Sequence, residues 1–512
     1  MSGGVRTHEV DVAVVGSGAG GGTVAKELAP LTRDGRRVLV LEKGPKLADD
    51  EFTGGELEMS KALFADRGGF LTEEGTLTLA FGRAYGGSTV VYTGTSLIAP
   101  ERVIRDWGVP GLEHGDVEAR SRKYAGENNV HRLPAEEINE NNRLFVEGGR
   151  RAGYDVRQFP VNVDGCLGSS LCNLGCPNAA KMGTHRVQLP EAEAAGVEVV
   201  TRADVRRVRD DRTLEVRVSE KPAGAKGEPS DWPAGEHEVR ADVVVAAGGS
   251  IGTSALLLRS GLGDPLPKLG RGFTCHPAHI LVAEHEEPLT NDLGHPKSFY
   301  VDRAAEEGWV LETCMYFPFV TAKNMAGFGP DHARFMRSFP RLQMILVLAC
   351  DHASDRNRVE IGPDGEPRVR YAFTDRVVRS LVAGTRASAR IFFAAGARRV
   401  HAPEATPATL EAGEADWVED REALRDRIPE EGFLPGKIPV SAAHLMGGCA
   451  MGRGPTDSVT DGRGRVHGLP WLRVADGSLF PDSVEINPYL TIMALADRVA
   501  EGIRDDAREL LS

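Results

Sequence analysis

The sequence predicts an α/β protein in which a doubly wound, largely parallel sheet is interleaved with a second region of α+β character. Three observations carry that expectation. The apolar, β-branched run VDVAVV leads at once into the glycine-rich turn GSGAGG and then into a helical pattern. A second run of the same kind, ADVVVAAGG at 241–249, leads into the helical stretch SIGTSALLLRS. Residues 280–430 then mix strand-like runs with helical ones. At 512 residues, 41% of them hydrophobic, the chain is long enough for at least two ordinary domains with filled cores.

Taken in order, residues 9–15 read as a short buried strand, Thr23 to Leu28 begins a helix, and RRVLVLEKG at 36–44 is a second strand with Glu42 at its end. This is a βαβ unit. A strand at 197–201 precedes the one at 241–249. Between them lies a hairpin-like region whose tip, AKGEPSDWPAGE at 225–236, is rich in turn formers and charge and is expected to be exposed. In the 280–430 region, RLQMILVLAC and RVRYAFT read as strands and VVRSLVAGTRASARIFFAAG as a helix, a mixed sheet with helices on one face. Near the end TIMALADRVAEGI is helical. No internal repeat or low-complexity tract appears. The expected division is discontinuous, with residues 1–100, 190–280 and 431–512 in one domain and 101–189 and 281–430 in the other.

The formal net charge of −13, with Lys and Arg scattered among acids, argues against a nucleic-acid partner. The amino-terminal run MSGGVRTHEVDVAVV lacks the basic-then-apolar layout of a secretory signal. No apolar run approaches the roughly 20 residues of a membrane span, so a cytoplasmic protein without a transmembrane segment is expected. Seven cysteines, unevenly spaced, are too few for a disulfide scaffold and are expected to be reduced.

The turn Gly16 to Gly21 leaves a strand and opens a helix, with Glu42 following at the end of the next strand. That context makes it a dinucleotide fingerprint. Gly16 permits the tight turn, Gly18 lets the backbone approach a pyrophosphate, and Gly21 allows close packing of helix on strand. Glu42 would accept hydrogen bonds from the adenosine ribose, and an acid there disfavours NADP. At the other end of the chain, His444 lies in HLMGGCAMG and Asn487 in an Asn-Pro step, with VADGSLFP between them. A base near neutrality beside a redox cofactor suits alcohol oxidation: imidazole takes the hydroxyl proton, and the asparagine amide holds the oxygen.

With these motifs, the glycine-serine loop FGRAYGGSTVVYTG at 81–94 and the run GGSIGTSALLLRSGLG at 248–263, the chain resembles the glucose-methanol-choline (GMC) oxidoreductase family over nearly its whole length. It is similar to bacterial members of the cholesterol oxidase and FAD-dependent alcohol or glucose dehydrogenase types. The resemblance implies an FAD domain with a substrate domain woven through it. It places Gly86, Gly87 and Ser88 along the flavin, Val205 at the adenine, and Ala247 and Gly248 beside the nucleotide. Asp476 and Gly477 then approach the pyrophosphate and ribityl chain, and Asn487, Pro488 and Thr491 sit by the isoalloxazine. Where many members carry Asn after the glycine loop, this chain has Tyr92. The implied reaction oxidises a primary or secondary alcohol to the carbonyl, with His444 as base, hydride to flavin N5, and reoxidation by dioxygen or another acceptor.

Cys166, Cys172 and Cys176 follow the spacing C-x5-C-x3-C-P among Gly165, Gly168 and Gly175. Three thiolates so placed are possible ligands of an iron–sulfur cluster, and the pattern is similar to that of the FAD-dependent glucose dehydrogenase branch. The alternative is a compact loop of buried free thiols. Zinc would need a fourth ligand, for which His185 is the nearby choice. Two other readings therefore stand beside the alcohol-oxidising one: an electron-transfer dehydrogenase carrying a cluster, and a non-redox, FAD-containing lyase. Cys449 is read as packing, His467 as structural, and His276 before Pro277 as shaping a turn. Apolar stretches such as ETCMYFPFV favour a relatively apolar substrate.

Overall fold

A computed structural model describes residues 4–289, 293–325, 327, 329–402 and 408–511; the first three residues of the amino-terminal run lie outside them. The run at 9–15 belongs to the strand Arg6–Val15, in which Val12, Ala13 and Val14 are fully buried. A strand apolar on both faces belongs in the middle of a parallel sheet. There it pairs in parallel with Val38–Leu41 on one side and Gly235–Ala246 on the other. Leu469–Val474 continues the parallel set beyond Gly235–Ala246, and Glu198–Val200 continues it beyond Val38–Leu41. With the antiparallel strands Thr213–Val218, Ala203–Val208 and Arg465–Val466, these make an eight-stranded sheet among the described residues.

Register decides where the site falls. Val15 is level with Leu41 and with Ala246, and Ala246 is level with Val474. The carboxyl ends of four strands therefore stop together along one edge, the position at which open α/β sheets bind ligands. Helix Ala19–Leu28 covers one face of this sheet beside Tyr489–Asp505. The 225–236 segment does join two strands of a hairpin, but its tip folds back rather than standing free. Trp232 is buried, stacks on His8 with ring centroids 3.8 Å apart, and donates from Nε1 to Glu198 Oε1 at 2.8 Å.

The second sheet has ten strands among the described residues, all pairs antiparallel except Thr78–Leu79 with Ser441–Ala442. Its centre is Ala278–Glu284 against Leu342–Ala349 and Trp309–Thr313. Alternation sends Leu281, Ala283, Ile345 and Val347 toward helix Asp375–Ala394, while Ile280, Val282, Met344 and Leu346 face the other way. Each such side chain contributes about 1.5–3 kcal/mol on burial. Thr374 caps that helix by accepting from Val377 N. Helices were expected on one face only; instead Met325 and Phe335, beside and within the short helices Pro318–Asn324 and Gly329–Arg337, cover the second face. The cluster of Ile280, Val282, Met344, Leu346 and Leu348 on that face needs a cover of its own, while Glu312, level with Leu346, shares the face farther along. Among the described residues no helix is long and apolar enough to cross a membrane.

Candidate active site

Gly16, Glu42 and Ala247 directly follow three of the aligned strands, and Asp476 comes two residues after the fourth. Backbone bonds tie these ends together: Gly16 N to Leu41 O at 2.9 Å, Ala247 N to Val15 O at 2.8 Å and Ala475 N to Ala246 O at 2.9 Å. Glu42 is buried and accepts from Ser17 N at 3.0 Å, Ser17 Oγ at 2.6 Å and Gly44 N at 2.6 Å. Burial pushes its carboxyl up, and those donors oppose the shift. Ser17 Oγ in turn accepts from Gly86 N at 2.9 Å, which brings the loop of Gly86, Gly87 and Ser88 onto the fingerprint turn. Asp476 accepts from Gly249 N at 2.8 Å, Thr253 Oγ1 at 2.5 Å, Ser478 N at 2.8 Å and Ser478 Oγ at 2.5 Å. Gly248 N donates to the same Thr253 hydroxyl at 2.9 Å. Val205 lies in Ala203–Val208, whose first residue donates from its N to Glu42 O at 2.9 Å.

His444 is placed by a backbone clamp. Thr274 N donates to Met446 O at 3.0 Å and Met446 N to Thr274 O at 2.9 Å. The approach needs glycine at 447, where φ is +77° and a Cβ would stand 2.2 Å from Gly272 O. Two residues out from the clamp on either side, His276 and His444 meet with their Nδ1 atoms 2.9 Å apart. The expectation that His276 merely shapes a turn is thus incomplete: it has a positive φ of 51°, and its ring also reaches the catalytic candidate. Asn487 Nδ2 lies 3.3 Å from His444 Nε2 and 3.3 Å from Glu312 Oε1. Glu312 is ion-paired with Lys297, both buried. Burial, with the Lys297 charge, pushes the His444 imidazole down to about 3. The pocket before these groups is walled by Leu97, Phe159, Val310, Leu348 and Ile486, with Tyr300, Asp302, Cys350 and Glu485 completing its lining.

Glu312, Lys297 and Ser483 escaped the sequence reading, which took His276 only as shaping a turn. Glu312 had a signal, since a lone acid inside WVLETCMYF is a buried charge that demands a partner. Lys297 and Ser483 had none, because their partners are neighbours only in the fold. Tyr92, in place of the usual Asn, packs edge-on against Tyr489 at 5.1 Å and bonds Asn162 through its hydroxyl. His467 Nε2 is 2.9 Å from Ser458 Oγ, and Cys449 is fully buried with Sγ 3.8 Å from Ser254 Oγ.

The thiols of Cys166, Cys172 and Cys176 are all free. Burial pushes the Cys172 thiol up to about 12, and burial also raises Cys166. Beside them the buried Lys181 donates to Val90 O at 2.8 Å and to Cys172 O. Among the described residues no three His, Cys, Asp or Glu side chains converge as metal ligands. The cluster expectation therefore finds no ligand set there, and His185 stands beside the glycine loop, where a Cβ on Gly86 would lie 2.8 Å from the His185 Cβ and one on Gly183 2.9 Å from its Nδ1.

Residues 11–278 and 353–496 match the two models of the GMC oxidoreductase family. An uncharacterized GMC-type oxidoreductase of Mycobacterium tuberculosis is 32% identical over 502 residues, spanning 96% of this chain and 75% of that one. The chain belongs to the GMC oxidoreductase family. A long-chain-alcohol oxidase of Arabidopsis thaliana is 27% identical over 518 residues, spanning 97% of this chain and 67% of the plant protein. Among solved structures, pyridoxine 4-oxidase from Mesorbium loti shares the fold with a TM-score of 0.71 at 19% identity, covering 97% of this chain and 99% of that one. As a GMC oxidoreductase the protein is an FAD-dependent, alcohol-oxidising enzyme.

Its residues fit FAD. Helix Ala19–Leu28 opens with no side-chain cap and no acid in its first turn, so its N–H groups are free for a diphosphate. Beyond Gly18 the only atom within 4 Å of an added Cβ is Gly87 Cα, at 3.8 Å, which leaves an open face there. Helix Tyr489–Asp505 likewise opens without a side-chain cap, and Thr491 Oγ1 in its first turn is buried with no hydrogen-bond partner. A buried hydroxyl left so costs about 1–3 kcal/mol, which a polar ring edge placed there would recover.

Proposed function

We propose that the enzyme oxidises an apolar primary or secondary alcohol to the carbonyl, with His444 as base and Asn487 holding the alcohol oxygen. FAD, when bound, supplies the acceptor for the hydride that leaves the carbinol carbon. Gly16, Gly18 and Gly21 bring the free helix terminus to the pyrophosphate. Glu42, with three donors on about four lone-pair sites, keeps one for a ribose hydroxyl. Val205 borders the adenine and Ala247 and Gly248 the nucleotide. Gly86, Gly87, Ser88, Asp476 and Gly477 line the path to the ring, which Asn487, Pro488 and Thr491 flank.

The observation that carries this reading is the double donation of Asn487. Its Nδ2 faces a carboxylate oxygen of Glu312 and the Nε2 of His444, so that imidazole nitrogen is the unprotonated one; the alcohol oxygen inserts into the 3.3 Å contact between Asn487 and His444, accepting from Nδ2 and donating its hydroxyl hydrogen to Nε2. Burial keeps the His444 imidazole neutral at neutral pH, so its Nε2 carries a lone pair for the hydroxyl proton. The five apolar side chains of the pocket suit a hydrocarbon body, in line with the name of the Arabidopsis thaliana relative, while Asp302 and Glu485 in the same lining offer acceptors for a polar end. The oxidase names of that relative and of the structural neighbour support dioxygen as acceptor.

The test is anaerobic mixing of the FAD-loaded enzyme with 1-octanol, 1-dodecanol, benzyl alcohol and cyclohexanol. At least one is expected to bleach the flavin, and His444→Ala should keep FAD while slowing bleaching about 100-fold or more. In wild type the bleaching rate should stay level from about pH 8 to about pH 5, because the imidazole is neutral throughout. In air, peroxide should form one-for-one with carbonyl. A flavin that no alcohol bleaches, in an enzyme that cleaves a cyanohydrin, would sink the reading.

A further inference from the structure

Three hydrogen bonds run in sequence away from the pocket, and their donors can be assigned. Glu312, paired with Lys297, can only accept, so the Asn487 amide must present Nδ2 to it and to His444 Nε2. His444 Nε2 is therefore bare and its proton sits on Nδ1. That N–H donates to His276 Nδ1 at 2.9 Å, which leaves the His276 proton on Nε2, donating to Ser483 Oγ at 2.6 Å. The opposite assignment would turn an N–H of His444 against an N–H of Asn487. Burial, with the facing His444, holds His276 well below the ordinary histidine range, so its ring is neutral and keeps a lone pair to accept with. Its backbone is pinned as well: His276 N donates to Asp351 Oδ1 at 3.0 Å, and the Tyr371 hydroxyl donates to Asp351 Oδ2 at 2.9 Å.

We propose that His276 is a positioning residue that locks His444 in the tautomer whose bare Nε2 faces the alcohol, and that Ser483 locks His276 in turn. The inference rests on His444 being the base. When the alcohol reacts, its O–H bond breaks and an Nε2–H bond forms on His444. The Nδ1 proton stays in place, held by His276, and the electron pair of the carbon–hydrogen bond leaves with the hydride to the FAD acceptor. Without His276 only the 3.3 Å contact with Asn487, which the alcohol displaces, favours that tautomer, and the form protonated on Nε2 cannot take a proton from the alcohol.

The experiment measures anaerobic flavin reduction in FAD-loaded enzyme by the alcohol of the panel above that bleaches wild type fastest. His276→Leu is expected to lower the limiting rate about 10- to 100-fold, with the half-saturating alcohol concentration and FAD content unchanged. His276→Asn tolerates the positive φ and offers Oδ1 where Nδ1 stood, so it should recover about tenfold of that loss. Ser483→Ala, remote from the alcohol, should slow reduction about three- to tenfold, and it carries the test where His276→Leu fails to fold. A wild-type rate in His276→Leu, equal loss in the Leu and Asn variants with FAD retained, or an unchanged Ser483→Ala enzyme overturns the proposal. His444→Ala separates the two levels. Should that variant stay fast, the base itself is wrong and this inference falls with it; should it be slow while His276→Leu is fast, only the tautomer lock falls.

Discussion

At the cofactor edge, four strand ends in register offer backbone atoms and short loops, with Glu42 and Asp476 as the buried carboxylates among them. At the alcohol pocket, His276, Lys297, Glu312, His444, Ser483 and Asn487 meet from widely separated parts of the chain and work through their side chains. The first arrangement is sensitive to an atom added beyond Cα at Gly16, Gly20 and Gly21, where it would meet backbone. The second is sensitive to the loss of any one partner, because each polar group is satisfied by the next.

The largest expected effect lies at the edge. Gly21→Val would set a Cβ 1.9 Å from Gly16 O, and loss of soluble, folded protein is expected, a cost above about 4 kcal/mol read by expression and circular dichroism. Gly18→Val sharpens the contrast three residues earlier. Its Cβ has room, so the protein should fold yet purify colourless, and a yellow Gly18→Val enzyme would refute the pyrophosphate assignment. In the pocket, Glu312→Gln leaves the buried Lys297 without its counter-charge, and chemical denaturation should show a loss of about 3–5 kcal/mol. Replacing both partners, Lys297→Met with Glu312→Leu, should cost less than the single change; an equal or larger cost would show that the pair does not act as a unit.

The smallest effect belongs to the rim. His352 Nδ1 lies 2.8 Å from Asp482 Oδ2, and the bond to that carboxylate raises the imidazole. A raised histidine adds stability that is fully present below its unfolded value of about 6.5 and is lost as pH rises through the higher folded value. Both side chains are more than a third exposed, at 38% and 36%, so solvent screening keeps the pair to about 0–1 kcal/mol. His352→Ala should therefore be slightly destabilising near pH 6 and neutral near pH 8.5 by denaturant titration. A larger effect at the higher pH would reverse the sign of this account.

The same contrast explains what could be read from the residues. VDVAVV followed by GSGAGG states strand, turn and helix within a few positions, because apolar continuity and missing Cβ atoms are local facts. His444 and Asn487 were legible through their motifs. His276 was seen only as the neighbour of Pro277, since its approach to His444 depends on the clamp between Thr274 and Met446, a pairing across the fold. The Trp232 hairpin tip failed for a related reason: turn formers and charges describe its solvent side, while His8, which buries it, is far away in sequence. The cysteine spacing fits a ligand set on paper, but among the described residues the three half-buried thiols do not converge as metal ligands, and Lys181 bonds Cys172 O beside them.

His444 lies on the connection that leaves Ser441–Ala442 in the ten-stranded sheet and enters Arg465–Val466 in the eight-stranded one. Its supports Glu312 and Lys297 come from the first sheet and its neighbourhood, while Asn487 and Ser483 come from the stretch following the second. A chimera that exchanged residues 281–430 to change the preferred alcohol would carry away the carboxylate bonded to Asn487 while leaving His444, the proposed base, behind. Altering taste in this enzyme means travelling through the groups bonded around His444, so new specificities are best sought by changing the pocket's apolar walls one residue at a time.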